Sequence, residues 1–177
     1  SQYCASRKIG EALAARLSEK GGPEVVIVNP KSSGGWLEEQ VMGRARALVT
    51  SLLREADHED RFRIYYPVAS DGTPIYVHAK IMVIDDWLLK VGSSNLNNRS
   101  MGFDSECDLA IEADGKDKEL RARIAALLDD LLAEHLATPP KDIAAARKDM
   151  PIIRTVEKFL RPRGRTLKPL EITGLSD

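Results

Sequence analysis

His78 and Lys80 stand two residues apart in VHAKIMVID, Asp85 closes that segment, and Gly92, Ser93 and Asn95 follow in VGSSN. Written out, the pattern is H-x-K-x4-D-x6-G-S-x-N, and it occurs once in 177 residues. Side chains two apart on a strand project to the same face. An imidazole and an ammonium placed together in this way offer a nucleophile or proton carrier beside a clamp for phosphate. Asn95 adds neutral N–H donors, and the Gly92-Ser93 turn lets backbone approach an anion closely. Donors grouped around a phosphorane-like transition state lower its energy without a metal. Ala79, Ile81 and Val83 alternate with this pair and are expected to face the other layer. The other histidines, His58 in EADHED and His135 near a helix end, are expected at the surface.

The elements that must hold these residues alternate between helix and strand. Ser6 reads as the cap of a helix over 7–20, with Ile9, Leu13 and Leu17 on one face and Gly21-Gly22 at its end. The apolar run 24–28 predicts a strand covered on both faces. A Gly/Ser loop over 31–35 leads to a helix over 36–56, and 62–68 reads as a second strand. That loop lacks the phosphate-loop pattern and is expected to be a plain connection that edges the site. Two strands follow, 75–84 and 87–91, joined tightly at Asp85-Asp86, and then a short one over 108–112. Leu120, Ile124, Leu127, Leu128, Leu131 and Leu132 mark an amphipathic helix over 115–136, which Pro139-Pro140 ends. Two shorter helices and a Pro/Gly-rich tail complete the chain. Trp36 and Trp87 are expected to pack in the core or the hairpin.

This alternation implies an α/β fold, a mixed β-sheet flanked by helices on both faces. Residues 1–138 are expected to form the domain that carries the motif, with 139–177 a helical, basic extension packed on it. The start inside a strand-like segment leads us to expect further sequence upstream. Net charge is only −1, yet residues 140–168 carry nine Lys or Arg against three Asp or Glu. Such a segment fits a solvated helix face with a basic arm, and it can also touch an anionic membrane surface. No apolar run has the length of a membrane span and the first residues do not resemble a signal peptide, so a cytoplasmic chain, peripheral to membrane, is expected. Cys4 and Cys107 lack metal-ligand spacing and read as buried free thiols.

The motif resembles the HKD signature of the phospholipase D superfamily. The text that follows, GSSNLNNRSMGFDSE, resembles the continuation found in members acting on phospholipids, and QYCASRKIGEAL resembles the segment that opens their second half. The resemblance runs from Gln2 to about residue 113. It implies a phospholipase D-like half with α-β-α layers and a metal-free, cofactor-free phosphodiesterase or transphosphatidylase in which two such motifs meet on a pseudo-two-fold axis. One histidine attacks phosphorus to give a phosphohistidine, and the other protonates the leaving alcohol. His78, in what resembles a second half, is expected to be the proton-transferring partner.

By the same resemblance Lys80 and Asn95 grip the phosphate oxygens, Ser93 is a secondary contact, and Glu106 orients His78. Asp85 belongs to the motif's catalytic set but lies near a strand end, where a structural part is expected. Arg99 reaches either a phosphate or a carboxylate such as Asp104 or Asp108. The expected partners are a phospholipid, in preference to nucleic acid, and a second HKD half from the same chain or another copy. A non-catalytic module binding phosphate or anionic membrane is the alternative from another class. An isolated monomer is expected to be inactive.

Overall fold

The structure, a computed structural model, describes residues 4–32 and 36–171, with backbone alone over 36–42. In chain order the elements are α1 (Arg7–Ser18), β1 (Val25–Val28), α2 (Trp36–Ala56), β2 (Phe62–Val68), β3 (Ile81–Ile84), β4 (Leu88–Gly92), α3 (Asn98–Gly102), β5 (Asp108–Glu112), α4 (Lys118–Leu136), α5 (Pro140–Asp149), α6 (Ile152–Phe159) and β6 (Thr166–Pro169). The α/β class is the expected one. Its strands fall into two sheets of three, ordered β1-β2-β6 and β3-β4-β5.

The first sheet is mixed, β1 pairing parallel and β6 antiparallel to β2. Alternation along β1 and β2 sends side chains to two separate cores. Phe62, Ile64, Tyr66, Val25 and Ile27 pack with Leu17 of α1 and Val49 and Leu53 of α2. Tyr65, Val26 and Val28 pack on the opposite face with Leu132 and Leu136 of α4, Ile143 of α5 and Val156 of α6. Both faces of this sheet are therefore covered by helices. α1 lies close on α2 because Gly10 has no side chain; a Cβ there would come within 3.1 Å of Val49 Cγ1. Arg147 of α5 reaches Asp129 of α4 at 2.6 Å, and the carboxylate side chain is only 8% exposed, so the two helices are joined by an ion pair as well as by apolar contact.

β6 was not foreseen in the Pro/Gly-rich tail. Thr166 and Leu167 are 0% and 2% exposed, and the strand pairs from Tyr65↔Pro169 to Val68↔Thr166. Its return over the end of α4 also corrects the expectation for His135. That residue is half-buried with Nδ1 unpaired, and burial pushes its pKa down. Cys4 is buried and free as expected, its thiol pushed up to about 11 by burial, whereas Cys107 is free and exposed at the open start of β5. Trp87 is half-buried at the β3–β4 turn; the Trp36 side chain and loop residues 33–35 lie outside the described residues.

The second sheet is an antiparallel meander in which no strand residue is fully buried. The strand expected over 75–84 joins the ladder only from Ile81, and the register of the first sheet explains why. Asn29 N–H donates to the Tyr65 carbonyl and Ile75 N–H to the Pro67 carbonyl, both at 2.8–2.9 Å. Carbonyls two residues apart on a strand point to the same edge. The chain after Ile75 thus runs toward the end of β1, which already occupies that edge, and must leave it. Residues 75–80 bridge the two sheets.

Candidate active site

Although His78 and Lys80 lie on this bridge rather than on a paired strand, their side chains meet. The Lys80 ammonium is 3.1 Å from both ring nitrogens of His78 and donates to the His78 carbonyl oxygen at 2.9 Å. His78 is exposed, while Lys80 is only 9% exposed. Burial pushes the Lys80 pKa below its usual value, and the negative charge of Glu106 acts against that shift. Tyr76, which sequence reasoning did not single out, lies alongside the histidine, with ring centroids 6.4 Å apart and planes at 23°. The alternation Tyr76, His78, Lys80 was the signal that could have found it.

The G-S-x-N turn is positioned by both neighbours of β4. Gly92 N–H donates to the Lys80 carbonyl at 3.2 Å, which ties the turn to the H-x-K segment. On the other side Gly92 pairs with Asp108, so closely that a Cβ would lie 2.0 Å from Asp108 Oδ1 and 2.5 Å from the Cys107 carbonyl. Only glycine fits. Ser93 N–H then donates to the Cys107 carbonyl at 3.0 Å, and Cys107 N–H donates back to Ser93 Oγ at 2.9 Å. Ser94 donates its hydroxyl to Asp108, which also takes Lys90 Nζ at 3.0 Å. These two bonds hold the Asp108 carboxyl below its ordinary range, the serine first and the lysine second. Asn95 is half-buried in the same turn. Asn97 is buried and caps α3, accepting from Ser100 N–H at 2.8 Å.

Glu106 accepts from the hydroxyls of Ser100 and Ser93, the latter at 2.5 Å, and these bonds hold its carboxyl below the usual range. Among the described residues no hydrogen bond joins it to His78; its reach is taken up by the two serines. Its charge is nonetheless felt at Lys80, so His78, Lys80, Ser93 and Glu106 form one connected group. Asp85 is not part of it. It sits exposed at the β3–β4 turn with φ +49°, and the five residues from Lys80 span about 16 Å of extended chain. Its neighbour Asp86 is bound by Arg121 of α4. Arg99 pairs with Asp104 at 2.9 Å, and its side chain is 76% exposed. Among the described residues no cluster of His, Cys, Asp and Glu could hold a metal ion.

A family model described as "Cardiolipin synthase, PLD-like domain" matches residues 1–130 of this chain. The chain belongs to the phospholipase D-like family. It is 35% identical over 82 residues to "Phospholipase D" of Phytophthora infestans, a match covering 41% of this chain and 4% of that protein. Against "Phospholipase D beta 1" of Arabidopsis thaliana it is 34% identical over 87 residues, covering 42% of this chain and 8% of the relative. Against "Phospholipase D zeta 2" of the same plant it is 46% identical over 48 residues, covering 26% and 4%. Each match thus covers less than a tenth of the phospholipase D concerned. No helix among the described residues is long and apolar enough to cross a membrane.

Proposed function

We propose that this chain supplies one H-x-K half of a phosphodiesterase site acting on phospholipids, with His78 transferring protons and Lys80 holding the phosphate. The observation that carries the reading is the contact of a nearly buried ammonium with an exposed imidazole, beside the Ser93–Glu106–Ser100 chain. Lys80 directs its ammonium to the ring and the carbonyl oxygen of His78. An arriving phosphate monoester or diester anion offers the ammonium a stronger, charge-assisted partner. Moving the ammonium to phosphate frees the imidazole for proton transfer.

The second half brings the other histidine, which attacks phosphorus to form a P–N bond. As the P–O bond to the leaving alcohol breaks, His78 donates its proton to that oxygen. Water or an acceptor alcohol then gives a proton to His78 while attacking phosphorus, and the P–N bond breaks. Water gives hydrolysis, and an alcohol gives transphosphatidylation. Asn95 adds donors to the phosphate oxygens, Ser93 donates its hydroxyl to Glu106 and so positions that carboxylate, and Glu106 keeps the ammonium charged. Basic residues of the 139–177 extension would meet an anionic membrane surface, and the protein would act at the membrane from the cytoplasm.

The second sheet, none of whose strand residues is fully buried, favours a further reading in which another copy of this chain completes the site. Ile81, Val83, Leu89, Val91, Leu109 and Ile111 share one of its faces by register, and none is buried. Sedimentation velocity combined with a phosphodiester turnover assay decides between these arrangements. A monomer without turnover supports the half-site, turnover confined to a dimer supports the second copy, and turnover by a monomer sinks both.

A further inference from the structure

We propose that Tyr76, Met101 and Phe103 form an apolar lip on the H-x-K site that engages the hydrocarbon of a phosphodiester held in a bilayer, with Phe103 the inserting residue. The proposal rests on the phosphodiesterase reading of that site and adds the surface from which its substrate arrives. Phe103 is 88% exposed, and Met101 and Tyr76 are 47% and 46% exposed. Scattered exposed apolar side chains need no explanation. These three are attached to the site from two sides. Tyr76 stacks on the His78 ring, and Met101 follows Ser100, whose hydroxyl binds Glu106.

Phe103 is held outward by a built turn. Asn97 caps the start of α3, and the N–H groups of Phe103 and Asp104 both donate to the Arg99 carbonyl, at 2.8 and 3.0 Å. The Arg99–Asp104 ion pair then closes over the turn. The chain therefore fixes the backbone that presents an aromatic ring to solvent, next in sequence to Asp104, whose carboxylate holds the Arg99 guanidinium. An exposed aromatic ring on a fixed turn suits the boundary between headgroups and acyl chains. The local charge favours this occupant over a polyanion. A nucleic-acid groove sets uncommitted cations along the strand path, whereas here Arg99 is matched by Asp104 and Lys90 by Asp108.

Co-sedimentation of the 177-residue chain with vesicles of phosphatidylcholine and phosphatidylglycerol tests the lip. Phe103→Ser should weaken vesicle binding about tenfold, the size expected for withdrawing one buried aromatic side chain. Phe103→Trp should bind at least as well as the parent, with tryptophan emission shifting to the blue on vesicle addition. Leu48→Ser, at a 60% exposed position on α2, is the control and should bind unchanged. Thermal melts establish that each variant folds. No binding by the parent chain, or equal losses in the serine variants, overturns the lip. A change of oligomeric state in Phe103→Ser without a change in vesicle binding also overturns it, making the ring a protein contact. Cleavage of bis(p-nitrophenyl) phosphate by the natural protein reports separately on the catalytic reading. Phe103-dependent vesicle binding without that cleavage leaves the lip standing and removes the chemistry; the reverse pattern does the opposite.

Discussion

Lys80 has the most informative side chain in the site. It is nearly buried, and burial lowers its pKa. A base whose folded pKa lies below its unfolded value is a net burden at neutral pH; stability rises with pH only between those two values. Replacing the ammonium with an apolar chain of similar length removes that burden. Lys80→Met should therefore abolish phosphodiester turnover while leaving the melting temperature unchanged or raised, and a clear fall in melting temperature would contradict this. Glu106 behaves in the opposite sense. Its carboxyl is held below the usual range by Ser100 and Ser93, so its contribution is complete above the unfolded value of about 4.3 and disappears as pH falls through the lower folded value. Urea unfolding of the parent and Glu106→Gln should differ at neutral pH and converge in acid. A difference that persists or grows in acid would remove Glu106 from the network.

At the level of elements, the turn after β4 is where local geometry and chemistry are most tightly joined. Gly92→Ala would push a methyl group into Asp108 and Cys107, separating β4 from β5 and carrying Ser93 away from Glu106. We expect a lower melting temperature and at least a tenfold loss of turnover; a variant with parental stability and activity would show that the turn tolerates displacement. Most helices and the strands β1, β2, β4 and β5 were legible because their periodicity is local. Besides the five-residue α3, two features were not. Residues 75–80 have the alternation of a strand, but whether they pair depends on β1 already occupying the edge of β2. β6 is four residues long and belongs to the sheet only through β2, more than ninety residues earlier in the chain. Within the site, the meeting of His78 with Lys80 followed from spacing alone. The binding of Glu106 to two serines did not, because it depends on how the α3 turn folds back.

For the molecule as a whole, a sheet with a helix-covered core on each face stands next to an open antiparallel sheet, and the candidate chemistry lies on the bridge between them. The covered sheet supplies stability through two packed faces. The open one leaves His78 exposed and fully buries none of its strand residues, the form that the proposed half-site calls for. The most direct test is headgroup release from phosphatidylcholine vesicles by the natural protein carrying this chain, with and without His78→Ala. Loss of a general acid–base group lowers rates by roughly 10²–10⁴-fold, and a fall of that size with unchanged folding is the predicted result. Turnover within about threefold of the parent would contradict the assignment of His78.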